Sequence, residues 1–363
     1  MKKIFVIAAS AALALLTGCK KDITVTPANL PDFQEEISIR SMAGVTKSAI
    51  NTTTFPVGYD MMVSAYKNVG AHAGEDVSAS YFEGIQFTKT GDTWKSARGP
   101  KYYPIDGTLD FLAVASAGYK TAGNGIAPTA VWGESGNVAK KVVLTVPANH
   151  EKFDDLLYAS NNAQSSSPSG TAMQFKHAMT SVCFTAKCNV AYNAETNTGI
   201  TINSITIDNA KHSGTLTISN PSAGGGSGAL SAEWSSLGSA QTHVAARVWA
   251  AANTGINPSE PALTGLNLGT TSKAIASYPF GEAYVILPPQ GACSFTINYT
   301  IHNGFMANNT TAQDNTVEYQ ITPTGNWEMG KKYIYDLQFS LTEIQIVPTV
   351  VDWDNQTATN AIP

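Results

Sequence analysis

The chain has 363 residues, of which 43% are hydrophobic and 13% are charged, and its formal net charge is −5 at pH 7. Because lysine and arginine form no runs beyond short pairs, the sequence lacks the basic footprint of a nucleic-acid-binding protein, and we predict no nucleic-acid partner. The low charge, the abundance of Thr, Ser, Asn and Gly, and the absence of long helix-forming runs are typical of an exported, all-β protein.

The N-terminal segment has the pattern of a bacterial lipoprotein signal. Two lysines precede an apolar run at residues 4–16, which has the length of the hydrophobic part of a signal peptide and is too short to span a bilayer. The small residues Thr17 and Gly18 lead to Cys19, whose thiol accepts the lipid in such proteins. We therefore predict that residues 1–18 are removed and that an acylated Cys19 anchors the chain in the outer membrane at the cell surface. An ordinary secretory signal with a chance cysteine is the alternative.

Residues 19–34 contain two prolines and no periodic pattern, so we predict a lipidated tether there. Short runs of alternating hydrophobic residues follow, separated by clusters of Gly, Ser, Asn and Pro. These runs predict strands at residues 61–66, 109–115, 142–146, 175–186, 202–207, 215–218, 244–250, 283–287, 295–301, 317–321 and 333–341. Because helical patterns are absent between them, antiparallel β-sandwiches are favoured over βαβ units. The length suits two domains, which we place at residues 35–174 and 175–363.

Residues for catalysis or metal binding are sparse. The histidines are His72, His150, His177, His212, His243 and His302. Their scattered spacing matches no metal-binding motif, and we predict no metal and no cofactor. The glycine-rich residues 221–228 lack the spacing of a nucleophile elbow. Asp154 and Asp155 are adjacent, so in a strand they point to opposite faces, and a turn before the next strand is the simpler interpretation. The sequence therefore predicts no enzyme.

Three cysteines remain once Cys19 is assigned to the lipid, and an odd number cannot all pair within the chain. Cys183 and Cys188 lie five residues apart in one predicted strand, so they point to opposite faces and should not bond each other. The favoured interpretation is that these thiols are small buried hydrophobic groups. A bridge from Cys293 to Cys183 or Cys188 stays open.

Several short strings, each weak alone, occur in a characteristic order. They are Trp94 with YYP at 102–104, GTLDFLA at 107–113, DDLLYA at 154–159, FKHAMTSVCF at 175–184, ITI at 205–207 with GTL at 214–216, LPPQ at 287–290, WEMGKKYIY at 327–335 and VVDW at 350–353. In this order and spacing they resemble the fimbrillin-like family, which comprises lipoprotein pilins and related adhesin subunits of Gram-negative bacteria. The resemblance implies two tandem transthyretin-like antiparallel β-sandwich domains.

The resemblance also implies a mode of assembly. Such pilins lose the lipid and the first strand to a trypsin-like protease, and the terminal strand of a partner subunit then fills the vacated groove. In this chain the first strand corresponds to residues 36–42, with Ile37 and Ile39 as its inward pair. The candidate residues of the donated strand are Ile344, Ile346, Val351 and Trp353.

Two basic residues are candidates for this cleavage: Arg40, inside the first strand, and Lys47, after it. Family members that mature in this way commonly present an arginine just after the first strand, where this chain has Lys47. Cutting at Arg40 would remove only Ile37 and Ile39 from the apolar set of the strand. A processed pilin and a permanently lipidated anchor or accessory subunit therefore both stay open.

Two functions of different classes follow. The first is a structural or adhesive subunit of a fimbria, which joins other pilin subunits in a homo- or heteropolymer. The alternative is a non-polymerising surface lipoprotein that binds glycans or another ligand through exposed aromatic residues. The candidates for stacking on sugar rings are Trp94, Tyr102, Tyr103, Trp132 and Trp249, although core positions are more common for such side chains.

Overall fold

The computed structural model describes residues 35–41, 58–68, 80–120, 128–132, 140–146, 155–221, 228–247, 266–275, 284–305, 312–340 and 344–352. The strands of the first half are β1 (Ser38–Ser41), β2 (Asp60–Asn68), β3 (Ser80–Thr90), β4 (Thr93–Ser96), β5 (Thr108–Ser116), β6 (Thr129–Trp132), β7 (Lys140–Val146), β8 (Leu157–Gln164), β9 (Thr171–Met173) and β10 (Lys176–His177). One short helix, α1 (Ala117–Lys120), follows β5. Within these ranges no helix is long and apolar enough to cross a membrane.

The strands of the second half are β11 (Thr180–Cys188), β12 (Thr198–Lys211), β13 (Gly214–Asn220), β14 (Ser231–Ser235), β15 (Ala240–Arg247), β16 (Leu266–Asn267), β17 (Lys273–Ala274), β18 (Tyr284–Leu287), β19 (Gln290–Gly291), β20 (Ser294–Phe305), β21 (Ala312–Ile321), β22 (Asn326–Trp327), β23 (Lys331–Phe339) and β24 (Ile344–Asp352). The prediction of an all-β fold is confirmed.

The first sheet has eight strands in the order β10-β8-β5-β2-β3-β4-β1-β9 and is rolled. Its edge strands β9 and β10 are separated by only two residues in the chain. Asn161 of β8 also donates from Nδ2 to the carbonyl oxygen of Ala172 in β9, at 2.7 Å. The side chains inside the roll form a cluster that we call the inner core, which includes Ile37, Ile39, Met61, Phe87, Trp94, Tyr103, Phe111, Met173 and Phe175.

A four-stranded sheet, in the order β14-β13-β7-β6, packs on the outer face of the roll. The residues between the two sheets form what we call the middle core, including Tyr66, Leu112, Val114, Val142, Leu144, Tyr158, Leu216 and Ile218. Strand β5 contributes to both cores and is buried on both faces, which explains why residues 109–115, LDFLAVA, are apolar apart from Asp110. Because β7 pairs with β13 along its whole length, hydrogen bonds cross the predicted boundary at 174/175. The division into residues 35–174 and 175–363 stays a prediction.

The remaining strands form a second β-sandwich, apart from β19 and β22, which pair with each other in a two-stranded sheet. One sheet has the order β17-β11-β23-β24, with β18 also paired to β11, and the other has the order β15-β12-β20-β21, with β16 also paired to β12. The side chains between the two sheets form what we call the C-terminal core, which includes the aromatic residues Phe184, Phe295, Trp327 and Tyr335. The ring centroids of Phe184 and Phe295 are 4.9 Å apart, and those of Phe295 and Tyr335 are 4.7 Å apart. Trp327 donates from Nε1 to the Tyr335 hydroxyl at 2.9 Å, so its polar edge is satisfied inside the core.

Two strand pairs depart from the expected antiparallel pattern. Strand β1 pairs in parallel with β9, and β11 pairs in parallel with β23 over eight residues. Both pairs join segments that lie far apart in the chain, where sequence periodicity carries no information on direction. The predicted strand at 175–186 is also interrupted, since β10 ends at His177 and β11 begins at Thr180.

The thiols of Cys183, Cys188 and Cys293 are all free. Cys188 belongs to the C-terminal core, whereas Cys183 is buried outside that cluster, in agreement with the prediction that the two point to opposite faces. Burial raises the pKa of the Cys183 thiol to about 11, and it raises the pKa of Cys293 to about 11 as well. A raised pKa leaves little thiolate, the nucleophilic form of cysteine, at neutral pH.

Asp336 in β23 makes the stability of the second sandwich depend on pH. Burial disfavours the charged carboxylate and is the largest single influence, but hydrogen bonds from Ser272, Thr185 and Gln338 and the charge of Lys187 outweigh it and hold the pKa of Asp336 below its usual value. Because the folded-state pKa is lowered, the carboxylate stabilises the fold above its unfolded-state pKa, and this stabilisation is lost as the pH falls through the folded-state value.

We therefore expect Asp336→Asn to melt at a lower temperature than the wild type at neutral pH, with the difference shrinking once the pH falls below the unfolded-state pKa of about 4. Circular dichroism at a series of pH values measures both melting temperatures. Two curves that stay parallel down to acidic pH would contradict this role of Asp336.

Candidate functional site: the first strand and its groove

Strand β1 is an interior strand of the rolled sheet. On one side it pairs antiparallel with β4, with Ser38 opposite Lys95 and Ile39 opposite Trp94. On the other side it pairs in parallel with β9, where Ile39 lies opposite Thr171. Both edges of β1 are thus hydrogen-bonded, although the strand comes from the start of the described chain. Its removal would leave two facing rows of unpaired N–H and C=O groups.

The inward face of β1 is apolar and completely covered. Ile37 and Ile39 are each 0% exposed and belong to the inner core. Burial of two such side chains stabilises the folded state by about 3–6 kcal/mol. The predicted inward orientation of this pair therefore agrees with the structure, and the space that the two side chains occupy is an apolar groove once β1 is absent.

Polar contacts hold β1 on its outward side. The Lys95 ammonium lies 2.5 Å from Glu36 Oε2, and Arg40 donates from Nε to the carbonyl oxygen of Gly170 at 3.3 Å. Just before the strand, the Ile37 amide donates to the carbonyl oxygen of Lys101 at 2.6 Å. The two side-chain contacts are partly exposed, so they fix the register of β1 more than they stabilise it.

Gly170 brings the loop before β9 against β1 more closely than any other residue could. Its φ is +80°, a left-handed conformation that favours glycine. A Cβ atom there would lie 2.7 Å from Ser38 Oγ and 3.1 Å from the Ser38 carbonyl oxygen. The absence of a side chain at this position is therefore a requirement for seating β1.

Of the two predicted cleavage residues, Arg40 lies in the part of the chain that the structure describes. Arg40 has an exposed side chain, but its backbone pairs with Ala172 inside the sheet. Proteases cut preferentially in exposed loops, so Arg40 is protected as long as β1 remains seated. Lys47 and the predicted lipidation site Cys19 lie outside the described residues.

The C-terminal candidates lie on β24, which is an edge strand paired with β23. Ile344 and Ile346 are half-buried and pack against the C-terminal core. Val351 is half-buried and lies opposite Lys332. Val347 and Val350 are 45% and 53% exposed, so this strand carries apolar surface that its own subunit does not cover. Trp353 falls outside the described residues. Strand β24, which carries the other candidates, belongs to a different sheet from β1 of the same chain.

Sequence reasoning missed a buried contact between a histidine and a carboxyl group beside the inner core. His177 Nδ1 contacts Asp155 Oδ2, and both side chains are 0% exposed. The Asp155 amide also donates to the Tyr59 hydroxyl at 3.1 Å. The sequence favours a turn at Asp155, and the structure buries this residue two positions before β8. His177 lies in one of the strings on which the family resemblance rests, but no local pattern pointed to its partner.

The segment next to His177 connects all parts of the fold. Trp234 of β14 donates from Nε1 to the carbonyl oxygen of Ala178 at 2.7 Å. The Gly330 amide donates to the carbonyl oxygen of Met179 at 2.9 Å, and Thr180 Oγ1 donates to the carbonyl oxygen of Lys331 at 3.2 Å. Residues 177–180 therefore form a fixed junction between the rolled sheet, the four-stranded sheet and the second sandwich.

The described part of the chain offers no group of three or more His, Cys, Asp or Glu residues that could hold a metal ion. Of the aromatic residues considered for sugar stacking, Trp94 and Tyr103 are each 2% exposed and belong to the inner core. Tyr102 is 42% exposed, and its carbonyl oxygen accepts a hydrogen bond from the hydroxyl of Tyr81, which is 40% exposed. Trp132 is half-buried, and Trp249 lies outside the described residues.

Comparison with known proteins agrees with this architecture. A sequence model of fimbrillin-like proteins matches residues 46–353. The chain belongs to the fimbrillin-like family. Family membership places it among fimbrial and adhesin-type subunits at the cell surface, and not among enzymes.

Solved structures show the fold. A fimbrial protein from Bacteroides vulgatus aligns with a TM-score of 0.57 at 14% identity, over 88% of this chain and 99% of that chain. The tip fimbrial protein Mfa3 from Porphyromonas gingivalis aligns with a TM-score of 0.32 at 8% identity, over 89% of this chain and 100% of that chain. At this second TM-score the likeness supports no further argument. A search of curated proteins gave no match.

Proposed function

We propose that the protein is a lipid-anchored fimbrial subunit that assembles by strand donation: release of β1 opens its groove, and β24 of a second copy fills it. The observation that carries this proposal is the position of β1. It is an interior strand with a fully buried apolar face, yet it belongs to the start of the described chain, so one cut after it is enough to free it.

The sequence of β24 supports its role as the donor. Residues 36–39 read Glu-Ile-Ser-Ile, and residues 343–346 read Glu-Ile-Gln-Ile. In this register Ile344 and Ile346 take the places of Ile37 and Ile39. Val347 then takes the place of Arg40, whose side chain is exposed.

Burial of apolar side chains favours the movement of β24 into the groove. Ile344 and Ile346 are only half-buried in their own subunit, whereas the positions of Ile37 and Ile39 are 0% exposed. Transfer of β24 into the groove therefore buries these two side chains more completely and satisfies the unpaired backbone rows of the groove, at the cost of the pairing of β24 with β23 in its own subunit.

Cleavage after β1 is expected at Lys47 and not at Arg40. Arg40 is paired with Ala172 inside the sheet, whereas Lys47 follows the strand in sequence. An uncleaved chain is the second candidate: with β1 seated on both sides, the subunit has no vacant groove and acts as a membrane-held anchor or accessory protein.

The assembly test uses the protein with a recognition site for a specific protease placed between residues 42 and 57. We expect cleavage to convert monomer into filaments, followed by electron microscopy and size-exclusion chromatography, whereas the uncut protein stays monomeric. The cleaved Ile344→Asp/Ile346→Asp variant should stay monomeric. The matched control is Val347→Asp, which places the same charge on the exposed side of the strand and should still assemble. Monomeric behaviour of the cleaved parent protein would refute strand donation.

The processing test is the N-terminal sequence and mass of the protein taken from the bacterial surface. A free N-terminus at Ser48 supports cleavage at Lys47 and a polymerising subunit. An acylated Cys19 on an otherwise complete chain supports the anchor or accessory role.

A further inference from the structure

A group of buried polar side chains lies at one end of the middle core, away from the β1 groove. Lys140 of β7 is 8% exposed and Asn220 of β13 is 0% exposed. The two residues are directly opposite in the antiparallel pair, and both lie on the face that carries Val142 and Ile218 into the middle core. Directly opposite side chains have Cβ atoms about 4.5–5.5 Å apart, so the lysine amine can reach the asparagine carboxamide.

A buried carboxylate is brought to the same place by an irregularity in the rolled sheet. Asp110 is 0% exposed and lies at a register shift between β5 and β8. Its Oδ1 accepts a hydrogen bond of 2.5 Å from the amide of Ala163, which has an unusual positive φ of 54°. Next to Ala163, the Asn162 and Asn220 carboxamides donate to each other at 3.3 and 2.8 Å. The Asp110 contact and the Asn220 contact are therefore adjacent in the chain.

Tyr66 connects the amine to the carboxylate. The Lys140 ammonium lies 4.9 Å from the centre of the Tyr66 ring, and Tyr66 is the cross-strand partner of Asp110. The Lys140 side chain therefore extends from β7 toward the strand that carries Asp110. An amine, a carboxamide and a carboxyl group thus lie on neighbouring strands in a largely buried part of the middle core.

We propose that Lys140 and Asn220 form an intramolecular isopeptide bond, with Asp110 as the proton carrier. A proton passes from the Lys140 ammonium to the Asp110 carboxylate, and the free amine attacks Cγ of Asn220. The new bond joins Lys140 Nζ to Asn220 Cγ, and the bond from Cγ to the amide nitrogen of Asn220 breaks. The departing nitrogen takes one proton from the attacking amine and the proton that Asp110 returns, and it leaves as ammonium. The reaction consumes no oxidant, reductant or co-reactant.

The consequence is a covalent bond between residues on either side of the predicted domain boundary at 174/175. The bond would close the chain between residues 140 and 220 and lock the β7–β13 pair, which joins the four-stranded sheet. It is independent of β1 and β24, so it does not rest on the proposed mode of assembly.

The test is a peptide map of the folded, full-length protein by mass spectrometry after digestion with a protease that does not cut at lysine. We expect one pair of peptides to be joined through Lys140 and Asn220, with a mass lower than their sum by one ammonia. Lys140→Arg should yield unjoined peptides, whereas the matched control Lys141→Arg, one residue along the same strand, should keep the joined pair. Asp110→Asn should give mostly unjoined peptides in a protein whose circular dichroism is that of the wild type.

The peptide map of the wild-type protein tests the isopeptide bond even where a variant fails to fold. Complete recovery of both peptides unjoined from the folded protein overturns the proposal. A joined pair that has lost water in place of ammonia also overturns it, because that product would place the bond on Asp110.

Discussion

Replacing Asp155 with alanine is expected to lower the free energy of unfolding by about 1–3 kcal/mol, because it leaves the buried Nδ1 of His177 without its carboxylate partner. Both side chains are 0% exposed, so water cannot take the place of the missing group. The pair also lies directly before the junction at residues 177–180, where all three parts of the fold meet. Denaturant unfolding followed by tryptophan fluorescence measures the change.

The matched control for Asp155 is Asp106→Ala, which removes the acidic partner of Lys67. Here the two atoms are 3.2 Å apart and the side chains are 25% and 61% exposed. An exposed pair of this kind contributes about 0–1 kcal/mol. Equal losses of stability in the two variants would show that the Asp155 pair is no more than a surface contact. In a double-mutant cycle, Asp155→Ala/His177→Ala should cost less than the sum of the single substitutions.

Replacing Gly170 with alanine is expected to loosen β1. The substitution forces a left-handed conformation on a residue with a side chain, at a cost of about 1–3 kcal/mol. It also pushes a methyl group against Ser38, where overpacking costs about another 1–3 kcal/mol. We expect lower stability and faster proteolysis after Arg40, because β1 leaves the sheet more often. Limited trypsin digestion with peptide mapping measures the release.

Gly99 supplies the control for this prediction. Its φ is +89°, and a Cβ atom there would meet nothing within 4 Å. Gly99→Ala therefore carries the same backbone strain without contact to β1, and it should lower stability without speeding cleavage at Arg40. If both variants accelerate cleavage equally, the effect of Gly170 is general destabilisation and not a loss of the fit to Ser38.

Long amphipathic strands were predictable from the sequence because their alternation is strong. The pattern at residues 295–301 corresponds to β20, and the pattern at 333–341 corresponds to β23, which begins two residues earlier. Strands of two residues, such as β16 and β19, are too short to show any period. Their positions are set by backbone partners elsewhere in the chain.

Partner choice was the part of the fold that the sequence did not reveal. Periodicity showed that Ile37 and Ile39 share a face, but it could not show that β1 lies between β4 and β9. Similarly, His177 and Asp155 are 22 residues apart, and nothing in their spacing indicates that they meet. Contacts of this kind depend on the three-dimensional path of the chain, which local patterns do not encode.

The pairing of β7 with β13 has a consequence for the order in which the chain folds. Residues 140–146 cannot complete their sheet until residues 214–220 have emerged, so the four-stranded layer forms late relative to the synthesis of its first strand. A chain that ends at residue 174 lacks β13 and β14, and it exposes the edge of β7 together with the apolar face that Leu216 and Ile218 cover in the whole molecule. Such a fragment is expected to aggregate, because an uncovered strand edge beside an apolar surface pairs readily with other chains.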